Sequence, residues 1–88
     1  MLFLVHFEIL PEHRDQVLKR VREIGDGEPA SVKIIGGAWY SVTQLEGWVI
    51  VESTDSLGIA QHLHAWTDLN IIHVTPVLTT EDALKLFS

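Results

Sequence analysis

The chain has no cysteine. That absence removes disulfides, thiolate metal sites and cysteine nucleophiles together, and because small domains in oxidising compartments are often stapled, it points to the cytoplasm. Long apolar runs are missing too. The longest covers residues 1–5, against the roughly 20 residues a membrane-spanning helix needs. Residues 1–6 lack the basic stretch and small-residue cleavage site of a signal peptide and run straight into an alternating pattern, so they are expected to be structure. Bases are scarce: six Lys and Arg stand against twelve Asp and Glu, a formal charge of −6. Arg14, Lys19, Arg20 and Arg22 cluster on one expected helix and read as its solvated face. Nucleic acid is not an expected partner, because a phosphate lattice requires a basic face. No Pro/Ser-rich linker or low-complexity segment divides the chain, so residues 1–88 are read as a single domain.

What the chain does have is apolar surface, with 47% hydrophobic against 20% charged residues. A chain this short buries only about 60–65% of its unfolded surface, so a partner would add burial that its own core lacks. Residues 2–10 are apolar on both alternating faces, broken by His6 and Glu8, which is the pattern of a central strand. Pro11 sets a helix start, and Val17, Leu18, Val21 and Ile24 recur at helical spacing until Gly25 and Gly27. Residues 31–40 read as a strand with a bulge or bend at Gly36 and Gly37; residues 41–47 as a hairpin connection; residues 48–52 as a third strand. Ser53, Thr54 or Asp55 can cap a second helix carrying Ile59, Leu63 and Trp66 and running to about Thr67. Residues 71–78 form a fourth strand, which Pro76 confines to a sheet edge, and Thr79 or Thr80 begins a short terminal helix over residues 81–87.

The order is βαβ twice, which predicts an α+β, ferredoxin-like βαββαβ antiparallel sheet with both helices on one face and strands one and three in the middle. The other face then carries Leu2, Leu4, Trp48 and Ile50 or their alternates, too apolar to meet water. A homodimer stacking two such faces is the expected solution.

The opening residues 1–5, the Val51-Glu52 pair, the run Ala65-Trp66-Thr67-Asp68-Leu69 and the later Thr75-Pro76-Val77-Leu78 resemble the DUF3303 family over nearly the whole chain. Members of that family look like dimeric α+β barrel proteins, a superfamily that also holds cofactor-free monooxygenases, polyketide cyclases and muconolactone isomerases. The resemblance implies the fold and the dimer, and only by analogy an activity.

Five histidines, His6, His13, His62, His64 and His73, invite a metal reading. Spacing argues against it: His62 and His64 lie about 200° apart on a helix, and no pair of histidines four apart encloses a glutamate. No metal or cofactor is expected. Strand alternation places His6 with Glu8, Glu52 with Trp48, and His73 on matching faces, so His6, Glu8, Glu52 and His73 are expected to converge as a proton-transfer patch. Trp48, Trp66 and Tyr40 are the candidate ligand-contacting aromatics. Two readings follow. One is a non-catalytic homodimer that binds a small hydrophobic or aromatic metabolite between sheet and helices. The alternative is a cofactor-free cyclase, isomerase or monooxygenase with His6 as general base.

Overall fold

A computed structural model describes residues 1–87. The two-sided apolar run at the N-terminus becomes strand β1, Leu2–Ile9, in the middle of a four-stranded antiparallel sheet. Its neighbours are β3, Glu46–Glu52, and β4, Asn70–Val77, while β2, Lys33–Tyr40, lies outside β3, giving the order β2-β3-β1-β4. This α+β arrangement is compatible with the ferredoxin-like fold. β4 is an edge strand, so the Pro76 nitrogen that cannot donate is opposite Phe3 at no cost to a further strand.

Pro11 opens a short 3₁₀ turn, Pro11–His13, and helix α1 follows over Arg14–Ile24. Helix α2, Ser56–His64, starts where the Asp55 side chain accepts the Leu57 N–H at 3.1 Å. It stops three residues short of the sequence expectation, so Trp66 sits in the turn after the helix, its N–H donating to Leu63 O. The terminal helix α3 is also shorter than expected, Thr80–Leu84, capped by the Thr79 hydroxyl accepting from Asp82 N–H at 3.1 Å. The expected bulge is present. Pairing of β2 with β3 shifts register between Ile35 and Ala38, and the two glycines between them have φ of 75° and 77°, a conformation that residues with a Cβ adopt only under strain.

Alternation along β1 decides what each face carries. Val5 and Ile9 are buried under the helices with Phe3 and Phe7 beside them, whereas Leu4, His6 and Glu8 point to the helix-free side. One core cluster joins Val5, Val32, Val49 and Val51 to Ile59 and Leu63 of α2; a second joins Ile9, Val17 and Trp66, with Val21 of α1 packed against it. Ile72 of β4 touches both clusters and makes them one layer.

Arg20, expected on a solvated face, instead spans from α1 to the turn after α2. Its guanidinium donates to both Asp68 carboxylate oxygens at 2.7 and 2.9 Å and to Ala65 O at 2.6 Å, and lies 5.7 Å over the Trp66 ring. Asp68 thus serves as the anion of a clamp between α1 and this turn.

Two consequences can be measured. Gly47 of β3 has no room for a side chain: a Cβ there would lie 2.3 Å from the Phe7 ring and 2.6 Å from Trp39 O. Gly47→Ala is expected to destabilise the protein by about 1–3 kcal/mol in urea denaturation, the usual penalty of overpacking. The Arg20 hydrogen bonds hold the Asp68 carboxyl below its ordinary 3.8. A depressed carboxyl contributes stability above the unfolded value that is lost as pH falls through the folded one. The wild type should therefore exceed Asp68→Asn in urea midpoint at pH 7, modestly because the pair is exposed, with the difference fading in acid below 3.8.

Candidate functional site

Two groupings of chemically capable side chains lie on opposite faces of the sheet. On the open face, register aligns one residue from each strand into a row: Trp39 opposite Trp48, Trp48 opposite His6, and His6 opposite His73. The rings stack. His6 and Trp48 have centroids 5.4 Å apart with planes inclined by 12°, and His6 and His73 are 5.8 Å apart at 24°. The next row places Glu46 directly opposite Glu8, a cross-strand pairing of like charges that is unfavourable by itself. Each acid is answered diagonally. His6 Nε2 lies 2.9 Å from Glu46 Oε1, and His73 Nε2 lies 2.9 Å from Glu8 Oε2.

The expected patch is thus assembled from His6, Glu8 and His73, but its fourth member is Glu46. Glu52 pairs opposite Leu2 and Lys33 near the other end of the strand. Sequence reasoning missed Glu46 because it ended the hairpin at residue 47. The structure starts β3 at Glu46, which puts it in phase with Trp48 and Ile50. Extending the alternation two residues upstream would have found it. The patch is half-exposed, with 30% of the His6 and 57% of the His73 side chain accessible. Among the described residues, no group of three or more His, Asp or Glu side chains is arranged to hold a metal ion.

The second grouping is a pocket between the sheet and the helices. Val5, Phe7, Val49 and Ile72 floor it, Val17 and Leu63 wall it, and Asp26, Tyr40, His62, Trp66 and Asn70 bring polar groups to it. Its position follows from the fold: odd-numbered β1 residues face inward, and the small Gly47 lets Phe7 and Tyr40 meet edge to face at 5.4 Å. Tyr40 is the last residue of β2 and faces the helices. Asp26, in the loop between α1 and β2, closes one side. Its backbone carbonyl accepts from Trp66 Nε1 at 2.9 Å and from His62 Nε2 at 3.0 Å, so one oxygen ties the loop to two aromatic rings.

Burial governs the charges here. It raises the Asp26 carboxyl above its ordinary 3.8, helped by nearby Glu28 and opposed by His62. It also raises the Tyr40 phenol, with the Asp26 charge adding to the effect, so the hydroxyl stays protonated at neutral pH. His62 and Asn70, only 4% and 7% exposed, each keep one buried atom, Nδ1 and Oδ1, with no hydrogen-bond partner among the described residues.

The candidate aromatics are therefore split: Trp66 and Tyr40 border the pocket, while Trp48 is on the far side of the sheet beside His6. His6 points away from the pocket that its chain neighbours Val5 and Phe7 line. Asn70 and Asp26 escaped the sequence reading, and His62 entered it only among the histidines weighed as metal ligands; early termination of α2 turns Trp66 back towards Asp26 and leaves His62 inside.

A raised carboxyl makes the folded state less stable as pH rises from the unfolded value through the folded one. Replacing Asp26 by Asn removes that loss while keeping the backbone carbonyl. Asp26→Asn is expected to raise Tm at pH 7, and the gain should vanish once the wild-type carboxyl is protonated below 3.8.

Among the described residues no helix is long and apolar enough to cross a membrane. No protein of curated function matches the chain. The family model described as "Domain of unknown function (DUF3303)" matches residues 1–88, the whole sequence given, and the chain belongs to that family.

Proposed function

We propose that this protein is a homodimer that binds a small hydrophobic or aromatic molecule in the pocket between sheet and helices, without catalysis. The observation that carries the reading is an apolar pocket lined by two residues that each keep a buried polar atom lacking a protein partner, His62 Nδ1 and Asn70 Oδ1. A buried acceptor without a partner costs about 1–3 kcal/mol, and a ligand that supplies the missing hydrogen bonds recovers it. The enclosed space is about 40 Å³, room for a hydroxyl-sized group. An apolar cavity of roughly 150 Å³ is what accommodates a whole benzene ring. A ring-bearing ligand therefore seats its polar end here and keeps its body outside the enclosed space.

Support for the dimer comes from the open face. Ile35, Trp39, Ile50 and Ile71 are each more than a third exposed, and Leu4 and Trp48 lie between them. Leu84, Leu86 and Phe87, at the C-terminal end, are 64–90% exposed as well. A two-fold axis sets a patch against itself, so a second copy is the partner whose apolar area matches without a separate design.

A second reading, a cofactor-free cyclase, isomerase or monooxygenase with His6 as general base, draws support from the 2.9 Å His6–Glu46 pair, since a carboxylate orients the ring for proton transfer. It needs the second subunit to build a wall over His6.

Sedimentation at tens of micromolar is expected to give a dimer, and Ile50→Lys a folded monomer; a monomeric wild type sinks the assembly. His6→Ala separates the two functions. Under the binding reading it weakens association but leaves ligand-induced changes in Trp66 fluorescence intact; losing turnover of a substrate would favour the enzyme.

A further inference from the structure

The two unpartnered atoms in the pocket share a property that narrows what can bind. His62 Nε2 faces the Asp26 carbonyl oxygen at 3.0 Å. A carbonyl oxygen only accepts, so Nε2 carries a proton, and the neutral form of the ring leaves a bare lone pair on Nδ1. The same logic fixes Asn70. Its amide nitrogen donates to Trp66 O at 2.8 Å, which leaves Oδ1 as the free end. With the ring in its neutral form both free atoms are acceptors, both are cut off from bulk water, and both residues line the same pocket. The remaining walls offer one further hydroxyl, that of Tyr40, and the Asp26 carboxyl adds negative charge.

We propose that the pocket selects a small neutral molecule carrying a hydroxyl donor on an apolar body, with the O–H donated to His62 Nδ1 or Asn70 Oδ1. This deepens the binding reading above and rests on the same pocket. The hydroxyl occupies the 40 Å³ enclosed between His62, Asn70 and the β1 side chains, and the apolar body lies along Phe7 and Trp66. A carboxylate or phosphate is rejected, because it brings a charge into an apolar space next to Asp26 and meets acceptors at His62 and Asn70. An ether of the same shape fits the walls but leaves both acceptors unpaired. Sites built around buried hydrogen-bonding groups discriminate strongly against analogues that lack the matching group.

The test uses the full chain, labelled with ¹⁵N, and three probes of one ring size: phenol, anisole and benzoate. Dissociation constants come from the Trp66 indole N–H resonance, and the His62 Nδ1 resonance reports hydrogen bonding directly. Phenol should bind at least about tenfold more tightly than anisole, shift the His62 Nδ1 signal as anisole does not, and outcompete benzoate. In His62→Phe, which keeps a flat ring, the phenol preference should shrink towards unity. Equal binding of phenol and anisole, or tighter binding of benzoate, overturns the donor selection while leaving a ligand pocket in place. If no probe moves the Trp66 or His62 signals at millimolar concentration, the binding reading falls with it. Should His62→Phe fail to fold, the wild-type comparison of phenol with anisole decides alone.

Discussion

The structure depends on β1 serving two surfaces at once. A strand turns successive side chains to opposite sides, so in the middle of a sheet covered by helices on one face only, odd and even positions enter different environments. Val5 and Ile9 become core; Leu4 and His6 become the open face. A slip of one residue against β3 would exchange the two sets, putting His6 and Glu8 under the helices. Seven register pairs with β3 and eight with β4 make that slip costly, and they fix both the pocket floor and the aromatic row.

On the helix side, packing leaves a small gap because aromatic and β-branched residues meet there at angles. Phe7 and Tyr40 lean together over Gly47, and Trp66 is fixed by its hydrogen bond to Asp26 O and by the Arg20 guanidinium above it. The clamp from Arg20 to Asp68 and Ala65 O joins α1 to the turn that positions Trp66 and Asn70. Stability of the helix layer and the shape of the pocket therefore share the same residues.

The open face follows a different logic. Exposed ion pairs contribute roughly 0–1 kcal/mol each, so His6–Glu46 and His73–Glu8 add little as isolated bonds. Their effect is to give a hydrogen-bond partner to each of two carboxylates that the register sets side by side. Stacking of His6 between Trp48 and His73 keeps the rings parallel across the strands. An apolar face whose facing acids are each hydrogen-bonded is suited to lie against another protein surface.

Local pattern alone determined the element order, the inward and outward sets of β1, the edge position of β4 through Pro76, the bulge at Gly36 and Gly37, and the resemblance to DUF3303. Each of these rests on interactions within a few residues: period-two alternation, a proline nitrogen that cannot donate, a glycine tolerant of positive φ. Tertiary structure decided which acid meets His6, that Arg20 leaves the solvated face for Asp68, that Trp48 parts from Trp66 and Tyr40, and that His62 is buried with one nitrogen unpaired. Those contacts join residues about 40 positions apart, as in Glu46 to His6 and Trp66 to Asp26. They depend on where a hairpin ends and a helix stops, and a shift of two residues at either place changes the partner while leaving the local pattern almost untouched.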